Sequence, residues 1–157
     1  MEKKLGNFKR GGKSVIADGH YKFRVTEFNV VTGGSGAPYI IPMCIVINPC
    51  PEQGTQIELG FSMSEAAEGI AAAWLTALGL GEEAIVPMDD IDRIQVFLNR
   101  YCLHAIIEAD IVKGKNPKGY DQNSVNPPWE IMASELGKDD NPGPRGIAAS
   151  GREEPSF

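Results

Sequence analysis

The sequence predicts a mainly β domain with two helices, in the order β-β-β-α-α-β-β, followed by an unstructured C-terminal tail. Three observations lead to this prediction. Apolar and polar residues alternate in short runs from residue 19 to residue 63, which is the period of half-buried strands. The period becomes that of a helix over 64–101, and strand-like runs then return. From residue 133 the chain is rich in Gly, Pro and Asp without any period.

The first three strands are separated by turn-forming residues. The first strand places aromatic and aliphatic side chains on one face and Lys22 and Arg24 on the other. A glycine-rich connection, 32–38, leads to an apolar second strand. Gly60 interrupts the third strand and predicts a bend of the kind that small closed barrels require. The predicted strands cover 19–31, 39–47 and 55–63.

Two helices and two more strands complete the predicted domain. Ser64 is the expected N-cap of the first helix, and Trp74 lies on its apolar stripe. Pro87 and the acids after it are expected to open the second helix. The prolines near the end of the last strand indicate an edge position. The helices are predicted over 64–80 and 87–101, and the strands over 102–113 and 123–132.

This order of elements is that of the OB-fold, a five-stranded Greek-key barrel, with a helical segment between strands three and four. An open α+β sandwich with the same order is the alternative. The predicted organisation is a basic N-terminal arm over 1–18, an OB-fold domain over 19–132 and a flexible tail with an acidic tip over 133–157.

The distribution of charge is more informative than its sum. The chain has a net charge of −6, which by itself argues against a nucleic-acid partner. Residues 1–25, however, contain seven lysines and arginines against two acids, whereas residues 26–101 contain two arginines against ten acids. Further lysines lie in and beside the loop 114–122. Basic charge is therefore concentrated at the N-terminus and in one loop.

An OB-fold binds oligonucleotides between the loops that join strands one and two and strands four and five. Lysines with an aromatic residue among them suit a single strand, because cations hold phosphates while a ring stacks on an unpaired base. For Phe28, Tyr39 and Trp129, surface stacking and a place in the core both remain open. The candidate nucleic-acid-binding residues are Lys9, Arg10, Lys13, Lys22, Arg24, Phe28, Tyr39, Lys113, Lys115, Lys118, Tyr120 and Trp129.

Other classes of function find little support in the sequence. No nucleophile and base form a recognisable pair, and the glycine-rich loop lacks the lysine of a P-loop, so no enzyme activity and no cofactor are expected. The histidines, His20 and His104, lack cysteine or carboxylate partners at ligand spacing, so no metal is expected. Without a signal peptide or an apolar stretch of about 20 residues, and with three cysteines at irregular spacing, we expect a cytoplasmic protein and no membrane partner.

The run from residue 19 to residue 80 resembles phage-encoded single-stranded DNA-binding proteins of the OB type. The shared features are a G-x-Y strand, a G-x-P turn, a phenylalanine in strand three and a helix that ends in Leu-Gly. The resemblance covers roughly 19–132 and implies a protein that coats single strands in the host cytoplasm during phage replication, recombination or repair. The residues that carry it are Gly19, Tyr21, Gly36, Pro38, Phe61, Leu78 and Gly79.

The last residues, REEPSF, are similar to the acidic tip of bacterial single-stranded DNA-binding proteins. In that family the tip is implied to recruit replication and repair partners, with an aromatic side chain in an apolar pocket and acids on a basic rim. This chain departs from the pattern in its smaller number of acids. The corresponding partner-binding residues are Glu153, Glu154, Pro155 and Phe157.

The sequence thus predicts a non-enzymatic protein that binds single-stranded DNA without sequence preference, with RNA as another possible ligand. A single OB-fold covers only roughly 4–16 nucleotides, so a homo-oligomer or cooperative binding is expected. Two alternatives remain. One is an OB-fold accessory subunit that binds protein in a replisome or recombination complex, and the other is a virion assembly protein.

Overall fold

The computed structural model describes Glu2 and residues 14–134 of the chain. In this part the chain forms one antiparallel sheet and two α-helices, with a 3-10 turn, Glu65–Ala67, before the first helix. The helices are α1 (Glu68–Ala77) and α2 (Ile91–Tyr101). The strands are β1 (Gly19–Thr32), β2 (Pro38–Val46), β3 (Gln56–Glu58), β4 (Phe61–Ser62), β5 (Ile106–Lys115), β6 (Asp121–Val125) and β7 (Met132–Ala133).

The sheet has the strand order β3-β2-β1-β5-β6, with β4 also paired to β2 and β7 also paired to β5. The strands β3 and β6 therefore lie at its two ends. Within residues 14–134, no ladder joins β3 or β4 to β6. The prediction of a mainly β domain with two helices is confirmed, but the sheet is open at the place where the predicted barrel would close.

A β-bulge in β1 determines which of its residues are buried. Before the bulge, the buried residues include Tyr21, Phe23 and Val25. The register against β2 shifts between Val25 and Glu27. Because side chains alternate with period two, the extra residue moves the buried face to Phe28 and Val30.

The third predicted strand is divided into β3 and β4, and Gly60 lies at the interruption, where the sequence predicted a bend. The ring of Tyr39, from the neighbouring β2, packs directly against Gly60. A Cβ atom on Gly60 would come within 2.7 Å of the ring atoms Cε2 and Cζ. Only glycine therefore lets the Tyr39 ring lie this close to the backbone.

The helices begin later than their sequence patterns predicted. The second helix begins at Ile91 rather than near Pro87, because Asp90 caps it: its Oδ1 accepts hydrogen bonds from the backbone N–H groups of Asp92 (2.9 Å) and Arg93 (3.3 Å). The side chain of Ser64 makes no capping hydrogen bond. The predicted core position of Trp74 is confirmed, since its ring is buried and stacks on Phe61 with centroids 5.0 Å apart.

The segment 14–18 is attached to the sheet. Asn123 of β6 holds the backbone of Ile16 on both sides: the Ile16 N–H donates to Asn123 Oδ1 (2.8 Å), and Asn123 Nδ2 donates to the Ile16 carbonyl (2.9 Å). The Ile16 side chain is buried in the core. At the other end, Ser134 is buried and its N–H bonds to the Ile106 carbonyl at 3.0 Å. The described fold thus extends beyond 19–132 at both ends.

Candidate nucleic-acid interface

The hairpin that joins β5 to β6 gathers three of the predicted lysines at one end of the sheet. Its turn is built by Asn116, whose Oδ1 accepts hydrogen bonds from the backbone N–H groups of Lys118 (2.9 Å) and Tyr120 (3.0 Å). Gly119 supplies the positive φ of +87° that the turn requires. Lys113, Lys115 and Lys118 are all exposed, and the Tyr120 ring is 69% exposed. We call residues 113–120 the lysine hairpin.

The charge of the lysine hairpin is partly compensated by Asp121, the acid that directly follows it. Lys115 Nζ lies 2.8 Å from Asp121 Oδ1, its neighbour across the ladder. This hydrogen bond and the positive charge of Lys115 lower the pKa of Asp121 below its ordinary value. Within residues 14–134, the side chains of Lys113 and Lys118 form no ion pair, so they are the free cations of the hairpin.

The outer face of β1 carries Lys22 and Arg24, as predicted, but the surface around them is not uniformly basic. The ladder with β5 places Glu108 opposite Lys22, and the ladder with β2 places Ile45 opposite Arg24. Asp110 adds a further acid on β5. The prediction of a basic face was made from β1 alone and did not include the acids that β5 contributes.

His20 is held between two carboxylates on this face. Its Nδ1 lies 2.7 Å from Asp110 Oδ1, and its Nε2 lies 2.9 Å from Glu108 Oε2. These hydrogen bonds raise the pKa of His20 above 6.5, and the one with Glu108 contributes most to the shift. The expectation that the histidines lack carboxylate partners is therefore wrong for His20. Nevertheless, in the part of the chain that the structure describes, no group of three or more His, Cys, Asp or Glu side chains is arranged to hold a metal ion.

The three aromatic residues left open by the sequence have different environments. Phe28 is 0% exposed and belongs to the core, so its inclusion among the nucleic-acid-binding residues is wrong. The bulge before it explains the difference, because it rotates Phe28 away from the face of Lys22 and Arg24. Tyr39 is half-buried, and its burial raises the pKa of its hydroxyl group. Trp129 is 59% exposed.

Trp129 follows β6 in the chain and does not belong to the lysine hairpin. It lines an open cavity of about 530 Å³ whose other walls come from α1 and from the segment that includes β7. The α1 wall consists of small residues, such as Gly69 and Ala73. Trp129 is thus exposed, as stacking on a base requires, but it borders a different cavity from Tyr39.

A cavity of about 200 Å³ separates the two ends of the open sheet. One wall comes from the β2 and β3–β4 side, with Tyr39, Glu58 and Gly60 among its residues, and the other wall is formed by β6 from Gln122 to Val125. We call it the edge cavity. Because Gln122 follows Tyr120 by two residues, the edge cavity directly adjoins the lysine hairpin.

Sequence reasoning missed the β6 residues of the edge cavity and the anchoring of the N-terminal segment. Ser14 and Val15 line the cavity, so the basic arm joins the fold at this place. The only sequence signal for the anchor was the apolar pair Val15 and Ile16 between the lysine-rich arm and β1. The arm residues Lys9, Arg10 and Lys13 and the tip residues Glu153, Glu154, Pro155 and Phe157 lie outside the described residues.

A separate apolar groove of about 600 Å³ runs along α2. Ile85 and Val96 in its lining are 86% and 66% exposed. Arg93 and Arg100 are seven residues apart and lie on the same side of the helix, with Val96 and Phe97 between them. Glu83 and Asp92 also line the groove.

No protein-family model and no curated protein matches this chain. Neither α1 nor α2, the helices of the described part, is long and apolar enough to cross a membrane.

Proposed function

We propose that the chain is a non-enzymatic protein that binds single-stranded DNA without sequence preference and coats it during replication, recombination or repair. The single observation that carries this proposal is the lysine hairpin beside the edge cavity. Exposed cations, an exposed ring and a partly aromatic cavity adjoin one another there. This is the combination that holds a flexible backbone while it stacks unpaired bases.

The hairpin supplies both kinds of contact that a single strand needs. Lys113 and Lys118 are free to neutralise phosphates, and each neutralised phosphate contributes about −0.7 to the slope of log K against log salt on a single strand. Tyr120 offers a ring for stacking, which contributes about 1–3 kcal/mol per base. Neither contact depends on base identity.

The proposal includes an OB-type barrel in which the β3 and β4 side faces β6 across the edge cavity, without a ladder between these described strands, so that the cavity stays open to a ligand. It also includes the basic arm, with Lys9, Arg10 and Lys13, as a second source of cations. The tip residues Glu153 to Phe157 are proposed to recruit replication or recombination proteins, as the resemblance to bacterial tips implies.

A second candidate function is that of a protein-binding accessory subunit, and the groove along α2 is the observation that favours it. An apolar groove with exposed Ile85 and Val96 suits an apolar side chain of a partner peptide. Arg93 and Arg100 would pair with carboxylates beside that side chain. The matching partner is an apolar peptide segment that carries acidic residues.

Fluorescence anisotropy with single-stranded dT, duplex DNA and single-stranded RNA at two salt concentrations tests the proposed function. The wild-type chain is expected to bind dT more tightly than duplex, with an affinity that falls as salt rises. Lys118→Glu with Tyr120→Ala should weaken binding to dT and flatten its salt dependence. Arg93→Glu, the same charge reversal on α2, is the matched control.

Two outcomes would reject, respectively, this function and the lysine hairpin as its site. The first is wild-type binding that prefers duplex or shows no dependence on salt. The second is an equal loss of affinity in the hairpin variant and in Arg93→Glu, because net charge rather than the hairpin would then determine binding.

A further inference from the structure

The edge cavity has one polar wall with side chains that are available to a ligand. Gln122 and Ser124 are two residues apart on β6, so they share a face, and both are exposed. Among residues 14–134, neither side chain has a hydrogen-bond partner. Asn123, which lies between them, is not available to a ligand, because it is buried and its amide group is hydrogen-bonded to the backbone of Ile16.

The chemistry of these two side chains suits the edge of a nucleobase. A glutamine amide has two N–H donors and a carbonyl acceptor, and a serine hydroxyl group both donates and accepts. Every base presents donors, acceptors or both along its unpaired edge. Gln122 and Ser124 can therefore pair with any base through a change of rotamer, which agrees with binding that does not require a sequence.

The opposite wall suits the face of a base. It includes the half-buried Tyr39 ring and Ile41, both on the outer side of β2, together with Glu58 of β3. Gly60 allows the backbone to approach the Tyr39 ring closely, so the ring is held in place from one side. A flat ligand with apolar faces and a polar edge matches a cavity with one aromatic wall and one hydrogen-bonding wall.

We infer that the edge cavity receives one unpaired nucleobase of the bound strand, with Gln122 and Ser124 hydrogen-bonded to its edge and Tyr39 against its face. The lysine hairpin continues directly from β6, so Lys118 in its turn would hold a neighbouring phosphate, whereas the ladder places Lys113 on the face of Asn123. The inference rests on the proposed function, since it assigns one nucleotide of that strand to a particular place.

Base contacts and phosphate contacts give different signatures in a binding experiment. A base contact is lost when the base is removed, whereas a phosphate contact is retained and appears in the salt slope. The full-length chain is therefore titrated with a dT oligonucleotide and with an oligonucleotide of the same length made of abasic residues. The variants are Gln122→Ala with Ser124→Ala, and Lys118→Ala as the control.

The Gln122 and Ser124 double variant is expected to bind dT roughly tenfold more weakly, within the range of a good base contact. Its affinity for the abasic strand and its salt slope should not change. Lys118→Ala should weaken binding to both strands by similar factors and make the dependence of affinity on salt less steep. An equal loss on both strands in the double variant, or no loss on dT, would overturn the inference.

A second measurement separates failure of the inference from failure of the proposed function. Deoxynucleoside monophosphates are titrated into the ¹⁵N-labelled full-length chain, and the side-chain amide signals of Gln122 and Asn123 are followed. A saturable shift of the Gln122 signal is expected, with a smaller one for the occupied Asn123 amide. A shift without any affinity for dT would reject the proposed function alone, and affinity for dT without a shift would reject the edge cavity as the base site.

Discussion

The ring of Tyr39 lies against the backbone of Gly60, which has no room for a side chain: a Cβ there would come within 2.7 Å of two ring carbons. This contact joins β2 to the interruption between β3 and β4 and shapes one wall of the edge cavity. A substitution at Gly60 must therefore displace Tyr39 or the backbone.

Gly60→Ala is expected to lower the free energy of unfolding by about 1–3 kcal/mol, the range for overpacking at a well-packed site. Gly114→Ala in β5 is the matched control, because nothing lies within 4 Å of its added Cβ, and it should change stability by less than about 0.5 kcal/mol. Urea unfolding measures both. If the Tyr39 ring is the cause, Gly60→Ala should cost much less in a Tyr39→Ala background, and equal costs in both backgrounds would contradict it.

The alternation of side chains correctly predicts which residues are buried in the first half of β1. A single bulge makes the same prediction fail in the second half. Tyr21, Phe23 and Val25 are buried as their spacing predicts. Phe28 is buried as well, because a bulge between Val25 and Glu27 inserts one residue into the strand. No turn-forming residue marks that bulge in the sequence, so the register of the second half could not be read from it.

The candidate site was predictable where it is local and not where it depends on pairing between distant strands. The lysine hairpin lies within one short stretch, and its residues were identified as a group. The partners of His20 come from β5, 88 and 90 residues away in sequence, and only the ladder brings them together. The edge cavity depends in the same way on β6 lying at the far end of the sheet from β3.

The ion pair between Lys115 and Asp121 is expected to reduce the affinity of the hairpin for phosphates. Asp121→Asn removes the compensating charge and releases Lys115, so binding to single-stranded dT should become tighter at low salt. The salt slope should become steeper by up to about 0.7, the contribution of one more phosphate. Asp89→Asn removes an equal charge from an exposed loop and serves as the control in the same titration. Equal gains from the two variants would show an effect of net charge alone.

Asn123 is expected to be the main attachment of segment 14–18. Asn123→Ala leaves the N–H and carbonyl groups of buried Ile16 without their partners, at a cost of about 1–3 kcal/mol for each group. Urea unfolding should show this loss, and hydrogen exchange should show faster exchange of the Ile16 amide. Ser124→Ala, on the exposed neighbour, should leave both quantities nearly unchanged. Unchanged exchange at Ile16 in Asn123→Ala would contradict the assigned role.

The two carboxylates around His20 predict a particular dependence of stability on pH. Because the folded state raises the pKa of His20 above 6.5, the protonated ring stabilises the fold. The contribution is fully present below pH 6.5 and is lost as the pH rises through the pKa of the folded state. Urea unfolding between pH 5 and pH 9 should therefore show that wild type loses stability relative to His20→Gln over this interval.

The origin of the shift can be tested by titrating the His20 ring with NMR. Glu108→Gln should lower the pKa of His20 more than Asp110→Asn does, because the hydrogen bond with Glu108 is the largest cause of the shift. Lys22 lies opposite Glu108 in the ladder, so Lys22→Gln removes a nearby positive charge and should not lower the pKa. A pKa at or below 6.5 in the wild-type chain would show that the carboxylates do not hold the ring in its charged form.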